Sequence, residues 1–241
     1  MARTKAGFRG RGRGRRSWLW RLLALLLLLV LVAGGAGCWK FVHWTPSRNV
    51  YPVQGIIAGA EDGRTNFRAF RAIGADFAYL EASDGASGRD LAFDRNFAAA
   101  RDAGLKIGVI HRFDPCAPAE RQSANFVTIV PRDARLLPPV VELDRIASDC
   151  PQRVVEAAVE SELMTFLNQV EGHVGKPALL KVSPRFEEHY PIARMLERNL
   201  WLERDGLQPT YAGRPWTLWT ANSKLRTEAG EGPVRWVVVQ P

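Results

Sequence analysis

The chain has 241 residues, 46% of them hydrophobic, with 33 Lys+Arg against 25 Asp+Glu and a formal net charge of +8. Eight of those bases and no acid fall in residues 1–21, so the remainder is balanced at 25 of each sign. The basic excess belongs to one short segment, and a neutral folded region argues against nucleic acid as a partner.

That segment, with its Arg9-Gly10-Arg11-Gly12-Arg13 repeat, has nothing apolar to bury, and residues 1–21 are expected to form a disordered cytoplasmic arm. From Leu22 to Trp39 no charged residue occurs. Eighteen helical residues at ~1.5 Å each reach roughly 27 Å, close to the hydrocarbon thickness of a bilayer. Trp18 and Trp20 on one side, and Trp39 and Trp44 on the other, stand where an interfacial aromatic belt would lie. Residues 22–39 therefore read as a transmembrane signal-anchor. The preceding arginines predict a cytoplasmic N-terminus and an extracytoplasmic remainder. The small residues Ala33-Gly34-Gly35-Ala36-Gly37 would also suit a signal peptidase, which leaves a cleaved signal peptide as the alternative.

Residues 40–53 read as a linker, and 54–241 as a single domain. Apolar runs at 55–57, 77–81, 107–113, 140–144, 178–183, 200–202, 217–220 and 234–239 alternate with amphipathic stretches at 66–73, 93–103, 117–130 and 154–174. In the last stretch Val159, Leu163, Phe166, Leu167 and Val170 form the apolar stripe. Strands alternating with helices predict the α/β class and a mostly parallel sheet, and eight strands in so short a domain predict an irregular, TIM-barrel-like β/α barrel. The later connections are too short for each strand to be followed by a full helix. Of the three cysteines, Cys116 and Cys150 follow neighbouring strands and would pair in an oxidising compartment; two free thiols are the other reading. The four histidines show no metal-ligand spacing, so no metal or cofactor is expected.

Parallel barrels carry their chemistry at the C-terminal strand ends. Those ends hold Glu81 with Asp84, His111 with Arg112 and Asp114, Glu142 with Asp144, then Lys181, Ser183 and Trp219. In Val140-Val141-Glu142-Leu143-Asp144 the two acids are two apart, so on a strand they share a face. Paired carboxylates with separated pKa values are what glycosidic cleavage requires; an acid pair tied to arginines is the plainer reading. His111 equally fits a satisfied core histidine. Trp216 and Trp219, three apart, should face opposite sides of a strand.

Four segments carry a family resemblance. They are Phe77-Ala78-Tyr79-Leu80-Glu81-Ala82-Ser83-Asp84-Gly85, Ala103-Gly104-Leu105 through Ile110-His111-Arg112-Phe113, Leu137-Pro138-Pro139-Val140-Val141-Glu142-Leu143-Asp144, and Arg214-Pro215-Trp216-Thr217-Leu218-Trp219. In this order and at these spacings the chain resembles glycoside hydrolase family 25, the muramidase-type lysozymes. The resemblance implies an irregular β/α barrel acting on peptidoglycan, cutting between N-acetylmuramic acid and N-acetylglucosamine. Glu142 and Asp144 become the expected catalytic residues, and Glu81, His111, Asp114, Trp201 and Trp219 the expected substrate-binding ones.

Departures from the family pattern accompany it. The first strand's G-I-D is Gly55-Ile56-Ile57, D-x-E is reversed to Glu142-Leu143-Asp144, and the acid of the last strand's V-D-x-N is Arg235. The expectation is a monomeric, membrane-anchored muramidase-like domain whose partners are peptidoglycan strands and the membrane. Its alternative is an impaired family member that binds the glycan or serves as a scaffold.

Overall fold

The computed structural model describes residues 13–241; residues 1–12 of the expected arm lie outside it. The chain divides into two units, with the boundary between Val42 and His43.

The first unit is helix α1 (Arg13–Val42). It begins inside the segment expected to be disordered and ends beyond residue 39. Arginine, leucine and alanine are good helix formers, and a nucleated helix propagates at little cost. Within it, Trp18–Val42 has a mean hydropathy of 2.5 and is a candidate membrane span by length and composition. Residues 25–32 are exposed all round, so the helix has no polar face to offer water.

The second unit is built on β1 (Gln54–Ala58), β2 (Phe77–Asp84), β3 (Gly88–Arg89), β4 (Lys106–Arg112), β5 (Val140–Leu143), β6 (Leu179–Val182), β7 (Asn199–Glu203), β8 (Leu218–Leu225) and β9 (Val234–Val239). Eight of them close in the order β1-β9-β8-β7-β6-β5-β4-β2, with β2 returning to β1. All eight apolar runs of the sequence are found in these strands. The remaining strand, β3, folds back antiparallel on β2; the Asp84-Gly85 turn, with Gly85 at φ 51°, permits the hairpin. Neighbours from β1 to β8 run parallel. β9 is antiparallel to both β8 and β1, because the connection at residues 226–233 is too short for a crossover.

Helices α2 (Phe67–Ala72), α3 (Phe93–Asp102), α4 (Ala119–Ile129) and α5 (Glu156–Val174) match the amphipathic stretches. The buried residues of α5 are Val159, Leu163, Phe166, Leu167 and Val170, the stripe read from the sequence. Two short helices, α6 (Pro184–His189) and α7 (Ile192–Met195), were not anticipated. The first carries a legible signal: Ser183 caps it by accepting from the Phe186 amide, and Pro184 occupies its first turn.

Two apolar layers hold the unit together. The inner one fills the barrel with Ile57, Phe77, Tyr79, Ile110, Val140, Leu179, Trp201, Leu218 and Val237. Tyr79 and Trp201 meet edge-on with centroids 5.0 Å apart. Gly108 makes room for the tyrosine, since a Cβ there would lie 2.0 Å from the Tyr79 ring. The outer layer packs sheet against helices. Trp216 and Trp219 both belong to it, clustered with Tyr51, whose ring meets Trp219 edge-on. The expectation that they face opposite sides fails because β8 begins only at Leu218, leaving Trp216 outside the strand alternation.

Candidate functional site

The inner layer ends at the C-terminal mouth, where the strands change from apolar to charged residues. In sequence around the barrel, β9 supplies Arg235, β2 Glu81, β4 Arg112, β5 Glu142, β6 Lys181 and β7 Glu203. The charges alternate, and each touches the next. Arg235 lies 2.6 Å from Glu81, Glu81 3.9 Å from Arg112, and Arg112 3.2 Å from Glu142. Lys181 hydrogen-bonds Glu142 and stands 3.3 Å from Glu203. Register explains the central three: Arg112 pairs with Glu142, and Glu142 with Lys181, across neighbouring strands. Opposite charges directly across a sheet attract. Arg235 also holds Asp62, at 2.9 Å, and Glu61, at 3.3 Å.

Glu142 and Asp144 share the mouth, as their spacing predicts, but differ in state. Glu142 is buried. Burial alone would raise its carboxyl, yet the Lys181 ammonium, and then the Arg112 guanidinium, outweigh it and hold the pKa at about 2. Asp144 lies just beyond β5 with its side chain 39% exposed, 3.7 Å from Arg112. Burial, and then the charge of Glu142, raise its pKa above the ordinary 3.8 against the opposing pull of Arg112. Its Oδ1 is shielded from solvent and has no hydrogen-bond partner. The pair is thus split into a fixed anion and a carboxyl that takes up a proton more readily than usual.

Two cavities open on this ring. One, of about 240 Å³, is lined by Glu81, Ser83, Asp84, Arg89, Arg112 and Glu142 among others. The other, of about 430 Å³, is lined by Glu142, Asp144, Lys181, Ser183, Glu203 and Arg204 among others. They meet at Glu142. Above the ring, Arg145 grips Asp84 with two 2.7 Å hydrogen bonds.

Glu81 is in the ring, bound to Arg235. The other residues expected to touch substrate lie elsewhere. His111 is fully buried and faces the outer layer, because Ile110 and Arg112 on either side of it face inward. Its Nδ1 is 2.8 Å from Ser83 Oγ, its Nε2 3.2 Å from Gln122 Oε1, and its ring 4.4 Å from Phe166. Burial pushes its pKa down to about 4, so it is a satisfied, neutral core histidine. Trp201 points inward but too deep: it is fully buried below the ring and donates to Thr220 Oγ1. Trp219 faces outward, buried, and donates to the Arg204 carbonyl. Asp114 accepts from the Cys116 amide and has its backbone pinned by Gln122, a turn-forming role outside the ring. Among the described residues, no aromatic side chain lines either cavity. Cys116 and Cys150 are disulfide-bonded and tie the loop after β4 to the loop after β5.

Glu203, Asp62 and Arg145 were missed by sequence reasoning. Glu203 could have been found by extending the sixth apolar run, 200–202, by one residue, since it shares the inward face of Trp201. Asp62 sits in a short helical turn after β1, and Arg145 directly follows Asp144; neither has a periodic signal.

A family model described as glycosyl hydrolases family 25 matches residues 58–228. The Escherichia coli protein YegX is 24% identical over 160 residues, covering 66% of this chain and 57% of YegX. The chain therefore spans little more than half the length of that relative. Lysozyme M1 of Streptomyces globisporus is 30% identical over 96 residues, 38% of this chain and 33% of the enzyme. Among solved structures, a family 25 glycosyl hydrolase from Bacillus anthracis superposes with a TM-score of 0.73 at 24% identity, over 83% of this chain and 93% of its own. A bacterial lysozyme from Streptomyces coelicolor gives 0.70 at 20% identity, over 78% and 92%. At these identities the structural likeness concerns the fold.

Proposed function

The chain belongs to glycosyl hydrolase family 25, and from that premise we propose that its barrel engages the glycan strands of peptidoglycan as a muramidase-type domain in which Asp144 is the sole proton donor. The observation that carries this reading is the split carboxylate pair. Asp144 has a raised pKa, a free acceptor oxygen and an open cavity, whereas Glu142 is locked as an anion between Lys181 and Arg112. Divergent acid environments of this kind mark the acid and the anion of a glycosidase site.

Turnover is slow in this reading. The first- and last-strand positions where the family resemblance implies acids hold Ile57 and Arg235, which are register partners at the mouth. Loss of one preorganised electrostatic group commonly costs about 10²–10³ in kcat. A glycan-binding role without turnover is the second reading, favoured by the continuous ion pairing of the ring. Release of reducing ends from purified peptidoglycan separates the two. Release above that of a Glu142→Gln/Asp144→Asn double variant supports the hydrolase. No release, with the glycan still pulled down, supports the binding protein. Failure of both would sink the muramidase-type reading.

We further infer that residues 22–39 anchor the domain, with the barrel outside the cytoplasmic membrane. The apolar helix, the basic segment before it and the disulfide, which suits an oxidising compartment, support this. In spheroplasts carrying a Cys38→Ser chain, a membrane-impermeant maleimide is expected to label Cys116 and Cys150 only after an impermeant reductant. Labelling only after lysis would put the barrel in the cytoplasm, and labelling without reduction would refute the bond.

A further inference from the structure

The Asp84–Arg145 pair belongs to neither the apolar core nor the buried ring. Its side chains are 37% and 35% exposed, and ion pairs this exposed add little to stability. Its position is more telling. Asp84 ends β2 and Arg145 follows β5, with β4 between them in the sheet, so the pair spans the end of β4 above Arg112. Asp84 lines the smaller cavity, and Arg145 directly follows Asp144, which lines the larger, so the pair links the rims of two cavities whose linings share Glu142.

The span is also held stiff. The turn that follows Arg145 is fixed by Asp149, which accepts from the Ile146 amide and is gripped by Arg185. Cys150 beside it is tied to Cys116. On the other side, Gly85 accepts from Asn125 and donates to the Arg112 carbonyl. Both ends of the bidentate contact are thereby preorganised, and such pairs are geometrically exacting.

We propose that Asp84 and Arg145 form a bar across the mouth that determines specificity, admitting glycan ends and short fragments to one cavity and excluding the interior of long strands. The inference rests on the glycan-binding reading and names the part of the polymer that is bound. The larger cavity, about 430 Å³, lies within the ~300–1,000 Å³ typical of small-ligand sites. A strand crossing both cavities would have to pass where the guanidinium and carboxylate meet.

The test uses the full-length chain in detergent micelles, titrated with the N-acetylglucosamine–N-acetylmuramic acid disaccharide and with long peptide-free glycan strands. The wild type is expected to bind both with equal affinity per strand. Arg145→Ala should raise affinity for long strands about tenfold or more, near 1.4 kcal/mol, and leave that for the disaccharide unchanged. Asp84→Ala opens the pair from the other side and should likewise raise the affinity for long strands. Wild-type affinity that climbs with strand length, and no gain in either variant, would overturn the bar while leaving the glycan-binding reading intact. Binding of neither probe by any form would overturn that reading, and the bar as a glycan selector with it.

Discussion

Lys181→Met is expected to destabilise the barrel by about 3–5 kcal/mol, because it leaves Glu142 as a buried charge with its closest partner gone. For a domain of this size that is a fall of roughly 6–20 °C in Tm. Lys181 and Glu142 are both nearly excluded from solvent, with side chains 9% and 10% exposed. The remaining partner, Arg112, is shared among Glu81, Asp84, Glu142 and Asp144. Removing both charges together, as Lys181→Met/Glu142→Gln, should recover most of the loss, since a buried pair replaced as a unit is often neutral. Thermal melts of the two variants and of Glu142→Gln close the cycle. A Lys181→Met protein that melts with the wild type would show that the Lys181–Glu142 pair contributes no net stability.

The same pair sets an acid limit. Glu142 has a folded-state pKa of about 2 against an ordinary 4.5. A depressed carboxyl contributes stability that is present above its unfolded pKa and lost as pH falls through the folded one. The wild type should therefore lose this contribution between about pH 4.5 and 2. In Lys181→Met the window narrows: with its nearest cation gone, only Arg112 and Arg235 oppose burial, the Glu142 pKa rises from its wild-type value, and less stability should be lost on acidification.

The ring also explains which parts of the site could be read from the chain and which could not. Alternation places Glu142 and Asp144 on one face, and they do share the mouth. The strand-end rule picks out Arg112 and Lys181 correctly. Alternation does not say which face is inward, and His111 fell on the wrong side for that reason. Nor does it give depth: Trp201 faces inward like Glu203, but two residues lower, where the barrel is closed by its own core. Trp219 looked like a sugar platform because its strand end was known, while its burial against Tyr51 depends on a contact across 168 residues of sequence. Long-range ion pairs are similarly invisible. Arg235 meets Glu81 only because β9 closes the barrel against β1, and β1 against β2. Fold class, all eight barrel strands and the buried stripe of α5 are local periodic properties, and those were legible.

Asp144→Glu is expected to raise hydrolysis by up to about 10²-fold, and Asp144→Asn to abolish it. The resemblance to the family's D-x-E puts the acid on the longer side chain, and at Asp144 the carboxyl is one methylene short. Misplacement by ~1 Å can cost about 10²-fold in a positioned reaction, so restoring reach acts where the deficit is largest. The asparagine variant keeps the shape and removes the proton, forfeiting the ~10²–10⁴ that general acid catalysis supplies. The pH profile follows from sign. The acid must be protonated to act, and burial together with the charge of Glu142 lifts its pKa above 3.8. Activity should therefore fall as pH rises through that raised value, on a limb assigned to Asp144. Reducing-end assays across pH on the wild type and both variants read all three effects. Equal rates in the wild type and Asp144→Asn would remove Asp144 from the chemistry. A Glu variant no faster than the wild type would instead place the deficit at Ile57 and Arg235, where length at residue 144 cannot compensate for an absent carboxylate.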